Sequence, residues 1–199
     1  MPNVNAARGL KAVRHFTGGI VRESRYEIAS ALASLIYQGS AVKAVGTNKR
    51  IDVAAAGDRL IGVFQQVSYQ DATGDTFFRR YWPTGQTLKT GTVAEALVLD
   101  DPFIIFNIQV SGVAGLAAGD PGAFADLVIG TGSTQTGESG DMVDQATITS
   151  TVATGGQLFI VQLSDVQSNA YGQYAKADVR INEHQLLSST TAGQAAMAY

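Results

Sequence analysis

From residue 40 onward, apolar and polar positions alternate with a period of two between glycine-rich breaks, and that pattern predicts strands. Ser40 to Val45 alternates and stops at Gly46-Thr47-Asn48. Leu60 to Val67 is an apolar run. Ser68-Tyr69-Gln70 then leads into the tip Asp71-Ala72-Thr73-Gly74-Asp75, and Thr76 to Trp82 returns to Pro83-Thr84-Gly85. Turn residues between two such runs specify a hairpin. Ala94 to Leu99 and Phe103 to Val110 follow on either side of Asp100-Asp101-Pro102. In the second, Ile104, Phe106, Ile108 and Val110 form a uniformly apolar face and are assigned to the core. Ile148, Ser150 and Val152 with Leu158, Ile160 and Gln162 suggest another strand pair around Thr154-Gly155-Gly156, and Asp178 to Asn182 ends the series.

The first quarter reads differently. Ile28, Leu32, Leu35 and Ile36 lie at helical spacing among Ala29, Ala31 and Ala33, and Gly39 would stop the element. Residues 26–38 are therefore the best helix candidate. Residues 1–25 read as an extended arm, because Pro2, Gly9, Gly18 and Gly19 interrupt any regular element. Its basic positions 8, 11 and 14 alternate with Leu10, Val13 and Phe16, which suits either a short amphipathic turn or a strand laid along a groove. Residues 112–122 and 130–141 read as loops, and 188–199, small and polar, as a flexible tail. The expected fold is mainly β, a sandwich or barrel over residues 26–187, with one short helix and an extended N-terminal arm.

Composition narrows the function. Hydrophobic residues make up 45% of the 199 positions, enough for a core, whereas charged residues are only 16%. So weakly charged a chain suits a protein that hides much of its surface against partners. The net charge of −3 argues against nucleic-acid binding. No apolar run approaches the ~20 residues a membrane helix needs, and no basic-then-apolar leader opens the chain, so neither membrane insertion nor export is expected. The absence of cysteine excludes disulfides and thiolate chemistry. Charge is uneven along the chain. Residues 1–50 carry eight Lys/Arg against two carboxylates, a balance of +6, while residues 101–199 carry two against nine, a balance of −7. Such asymmetry fits either pairing of the two ends within one molecule or a basic arm that docks on an acidic surface.

No catalytic constellation emerges. The glycine-rich stretch 130–140 lacks the Gly-Lys-Ser/Thr ending of a phosphate loop, and no Lys or Arg lies between Lys89 and Lys176. His15 and His184 are a poor inventory for a transition metal. Ser164, His184 and Asp165 could form a triad on paper, without a nucleophile elbow to support it. Asp71, Thr73 and Asp75 match half of a calcium loop and no more. Glu138, Asp141 and Asp144 read as solvated loop carboxylates. No cofactor and no metal are expected. The aromatic hairpin with Phe77, Arg79, Tyr81 and Trp82 suggests core packing on one face and, on the other, contact with a neighbouring element, an oligomer partner or a glycan.

Several segments carry a family likeness. They are Asn3-Val4-Asn5-Ala6-Ala7-Arg8-Gly9-Leu10-Lys11-Ala12-Val13-Arg14-His15, Tyr26-Glu27-Ile28-Ala29-Ser30, Gly62-Val63-Phe64 with Gln70-Asp71-Ala72-Thr73-Gly74, and Tyr81-Trp82-Pro83-Thr84-Gly85. Spread over residues 1–130, they resemble a group of tailed-bacteriophage virion proteins described as capsid decoration, cement or minor head proteins. The resemblance implies a structural role without an active site, on the capsid exterior of a virion made in the host cytoplasm. It implies the major capsid protein as partner, and self-association as a trimer in the favoured case or a dimer. On this reading the arm residues Val4, Arg8, Leu10, Lys11, Val13, Arg14 and Phe16 contact the capsid. A tail, baseplate or fibre module that binds host-surface glycan through the aromatic hairpin is the other expectation.

Overall fold

The computed structural model describes residues 3–150 and 155–187. The expected tail, residues 188–199, and the expected strand position Val152 lie outside the described residues. The strands are β1 (Lys11–His15), β2 (Ser24–Ile28), β3 (Ile36–Tyr37), β4 (Ala41–Val45), β5 (Arg50–Val53), β6 (Gly62–Gln70), β7 (Thr76–Arg79) and β8 (Tyr81–Trp82). They continue with β9 (Ala94–Leu99), β10 (Ile104–Gln109), β11 (Phe124–Ala125), β12 (Leu127–Val128), β13 (Met142–Val143), β14 (Leu158–Leu163) and β15 (Lys176–Ile181).

The fold is mainly β, as its alternation predicts, and combines both expected architectures. Strands β4-β5-β2-β9-β6 form a sheet that closes on itself through the β4–β6 pairs Ala41↔Val63 and Val42↔Gly62, making a small barrel. Closure leaves no free edge along these strands. β7 extends the long β6 beyond the barrel as the hairpin that the 71–75 turn predicts, with Val67↔Arg79 to Gln70↔Thr76 in register. The ribbon β3–β8 brings Ile36 and Trp82 into the barrel core beside Val42, Phe64, Val67 and Val98.

A second sheet, β1-β10-β15-β14-β11, packs on the outside of the barrel. Alternation explains the joint. Val42, Phe64 and Val98 point into the barrel, and their neighbours Ala41, Val63 and Leu99 point out into the second core with Ile104, Phe106, Ile108, Val179 and Ile160. The predicted core face of β10 is correct at all four positions. Ile105 and Gln109 on its other face are buried as well. Gly62 sits where β4, β6 and β9 converge, and a Cβ there would collide with the Leu99 carbonyl, so the crossing requires glycine.

Two expectations are corrected. Residues 26–38 are not a helix: they hold β2, a turn in which Ala31 has φ +60°, and β3. Among the described residues the helical structure is the single 3-10 turn Gln145–Thr147, capped by the Asp144 side chain. The N-terminal segment is not a free arm from Asn3 to His15. Asn3 donates to the Ala170 and Gln173 carbonyls, Ala6 donates to Gln109 Oε1, and Lys11–His15 is a strand paired with β10. Leu10 is fully buried in the second core. Residues 148–150 also differ from expectation. Thr149 bridges to Phe124, and β14 pairs with β11 and β15 instead.

Candidate functional site

The expected contact residues fall into three groups. Leu10 is core. Its N–H donates to the Gly39 carbonyl at 2.8 Å, and Gly9 (φ +64°) lies so close to Gly39 that a Cβ would clash. It is therefore corrected from surface contact to structural residue. Arg8 and Lys11 are engaged internally. Lys11 Nζ lies 3.2 Å from Glu138 Oε1 and Arg8 Nε 3.7 Å from Glu138 Oε2. This supports pairing of the basic and acidic ends within one molecule for these two cations. Val13, Arg14 and Phe16 remain displayed. Val13 is 54% and Phe16 55% exposed, and Arg14 has no ion pair among the described residues. Val4 is also exposed and borders a shallow groove with Asn3, Val166, Asn169 and Tyr174.

β1 is an edge strand, and the register shift at Val13 marks a bulge in its pairing with β10. A bulge and flanking Lys and Arg discourage another strand from adding to the edge. The edge thus offers side chains rather than free main chain. Beyond it, residues 16–23 lead across to the barrel, and His15 braces this turn. Three donors converge on His15 Nδ1: the Thr17 N–H at 3.3 Å, the Thr17 hydroxyl at 3.0 Å and the Gly19 N–H at 3.1 Å. Nδ1 is therefore the acceptor, and Nε2 carries the hydrogen that it donates to Asp101 Oδ2 at 3.2 Å. Phe16 N–H adds a bond to the Phe103 carbonyl at 2.8 Å.

The braced turn displays Ile20, 88% exposed, with Arg22 also exposed, while Val21 packs onto the core. The strip is therefore Val13, Arg14, Phe16, Ile20 and Arg22: three exposed apolar side chains and two exposed cations within ten consecutive residues of the edge strand and its turn. Sequence reasoning placed three of them. It missed Ile20 and Arg22, because nothing in a non-periodic stretch separates Ile20 from the partly buried Val21.

The aromatic hairpin turns mostly inward. Trp82 is fully buried, packs edge-on to Tyr69 at 5.3 Å and points Nε1 at the Leu32 carbonyl. Its assignment as a surface contact is corrected. Phe77 stacks on Tyr69 at 5.5 Å, and the Arg79 guanidinium lies over both Phe77 and Tyr81. Arg79 also donates to the Tyr81 hydroxyl at 3.1 Å. Phe77, Arg79 and Tyr81 are half-buried and satisfy one another. Phe78 alone of the cluster is open, at 81% exposure. Its position follows from alternation, which placed it opposite Phe77.

Of the residues weighed for chemistry, Asp71 and His184 are engaged by the backbone around them. Asp71 Oδ1 accepts the Thr73 hydroxyl at 2.6 Å and the Thr73, Gly74 and Asp75 N–H groups; the hydroxyl first and the amides after it close the hairpin tip and hold the carboxyl below the usual carboxylate range. His184 is buried, accepts the Leu186 N–H at Nδ1 and makes no hydrogen bond to Ser164 or Asp165. Burial lowers it to about 4. Among the described residues no cluster of three or more His, Asp or Glu could hold a metal ion, and no helix is long and apolar enough to cross a membrane.

No protein-family model, curated protein or solved structure matches the chain.

Proposed function

We propose that this chain is a structural virion protein that binds the outside of a tailed-phage capsid, bridges major capsid protein subunits and acts as a homo-oligomer. The observation that carries the reading is the strip Val13, Arg14, Phe16, Ile20 and Arg22, exposed along an unpaired sheet edge and its braced turn. Its first two residues, Val13 and Arg14, lie in Asn3 to His15, one of the segments that resemble capsid decoration proteins. Exposed apolar residues rimmed by cations mark an interaction surface for an acidic partner. A closed barrel with a second sheet bonded to its outside gives such a surface a rigid mount.

Arg14 and Arg22 would meet acidic capsid patches, and Val13, Phe16 and Ile20 would fill shallow pockets across a subunit seam. Each contact is small. Several copies per oligomer raise the effective affinity by ~10²–10⁴ when their spacing matches the lattice. Because β1 is bulged, docking proceeds through side chains and not by strand addition. Electron cryo-microscopy of assembled heads tests the reading. Density for this fold on the shell exterior, with the β1 edge against a capsid seam, is the expected result. Density confined to the tail or the shell interior would overturn it.

A further inference from the structure

Residues 130–141 lie over the junction between the N-terminal segment and the barrel as a clasp. Ser139 N–H donates to the Gln38 carbonyl at 2.9 Å, and Gln38 N–H is shared between the Arg80 carbonyl at 2.8 Å and the Gly137 carbonyl at 2.9 Å, so the loop pairs with the chain just before β4. From its outer side Glu138 holds Arg8 and Lys11. Beneath it Asp141 is 1% exposed. Its Oδ1 accepts the Gly130 N–H at 3.2 Å and its Oδ2 accepts the Ala41 N–H at 3.4 Å, joining both ends of the loop to the first residue of β4. Asp141 N–H donates to Ser139 Oγ at 3.1 Å, and Ser40 Oγ lies 3.1 Å from Ser139 Oγ.

The two amide bonds to the carboxylate, at 3.2 and 3.4 Å, lie at and beyond the long end of the range of about 2.7–3.2 Å for N–H···O bonds. They compensate poorly for removing a charge from water. We propose that residues 130–141 are a proton-controlled latch: with Asp141 neutral the loop closes on residues 38–41 and retains the N-terminal segment, and ionisation of Asp141 loosens it, releasing Arg8 and Lys11 from Glu138. The charged groups around the loop are Glu138 itself, Arg8 and Lys11 on the N-terminal segment, and Arg80, whose Cβ packs under Gly137. Tyr37 lies beneath Gly132. The groups that touch the Asp141 carboxyl are the Gly130 and Ala41 N–H groups and the Ser40 and Ser139 hydroxyls.

Burial raises Asp141 from 3.8 to about 6, against the lowering effect of its hydrogen bonds. The sign follows. The closed state binds the proton more tightly than the open state, so closure is favoured in full below pH 3.8 and loses support as pH rises through about 6. The opening constant therefore rises about 10²-fold between pH 4 and pH 7.

Amide hydrogen exchange of the purified protein, corrected for intrinsic rates, measures this without any capsid, so its outcome is separate from that of the proposed function. The Ser139 amide, whose acceptor is the Gln38 carbonyl, reports closure. The Val110 amide, bonded to the Ala175 carbonyl in the second sheet, is the reference. Protection at Ser139 falling about 10²-fold from pH 4 to pH 7, with Val110 changing less than threefold, is expected. In Asp141→Asn the Ser139 profile becomes flat. Should that variant not fold, Glu138→Gln serves: it lowers Ser139 protection at every pH and leaves the pH slope intact. A flat wild-type profile at Ser139, or a parallel fall at Val110, would overturn the latch.

Discussion

Replacing Leu10 by alanine separates a structural N-terminal segment from a docking arm. Leu10 is fully buried in the second core, and its N–H is bonded to Gly39. Truncation removes the transfer free energy of the side chain and leaves a cavity in the second core. Buried Leu→Ala changes cost about 2–5 kcal/mol, and a site this enclosed sits near 3. At ~2–4 °C per kcal/mol for a chain of this size, Tm falls by roughly 6–12 °C. Urea denaturation followed through Trp82, the single tryptophan and itself buried, gives the free energy directly. Phe16→Ala is the control. At 55% exposure it should shift stability by no more than about 0.5 kcal/mol. A Leu10→Ala cost under 1 kcal/mol, equal to the Phe16→Ala cost, would refute the placement. The same reasoning makes deletion of residues 2–16 a poor test of docking, because it removes β1 and Leu10 along with the displayed side chains.

Other expectations follow from buried polar groups. Asp100 accepts the Ser24 hydroxyl at 2.8 Å and the Tyr26 hydroxyl at 2.9 Å. Asp100→Ala should cost about 1–3 kcal/mol in urea denaturation, and adding Tyr26→Phe should cost little more, since the shared bond is already gone. His184 is buried neutral with its value lowered from 6.5 to about 4. Its contribution is complete above pH 6.5 and is lost as pH falls toward 4, about 3 kcal/mol in all. Asp141 acts in the opposite direction across much of that window. The wild-type urea midpoint should therefore change little between pH 6.5 and 4, whereas His184→Asn should gain stability on acidification. A His184→Asn profile that falls like an ordinary acid transition would count against both assignments.

The strands were legible where one face of an element is buried and the other is not. Ala94 to Leu99 and the β10 face follow directly from alternation, and the 71–75 turn fixes the β6–β7 hairpin. The helix expectation failed for an arithmetic reason. Ile28, Leu32 and Ile36 are four apart, which satisfies a helical stripe and a two-residue alternation equally, and the demand to close the barrel decided for strands. Burial of Leu10 was not legible, because the core that takes it in is assembled from strands between residue 41 and residue 181. Trp82 was misplaced because the bend at Arg80 separates β7 from β8 and redirects the ring into the barrel. The docking strip was half legible. Its β1 residues show as a basic and apolar mixture, but the turn that displays Ile20 depends on His15 gathering donors from Thr17 and Gly19.

The most direct measurement is co-sedimentation with purified heads for wild type and for Arg14→Glu/Phe16→Ser/Ile20→Ser, at matched folding stability and over a range of salt. All three side chains are exposed, so the variant should keep its fold. Wild type should bind saturably and more weakly as salt rises, and the variant should lose at least tenfold in affinity. Equal occupancy of the heads by both proteins would contradict it.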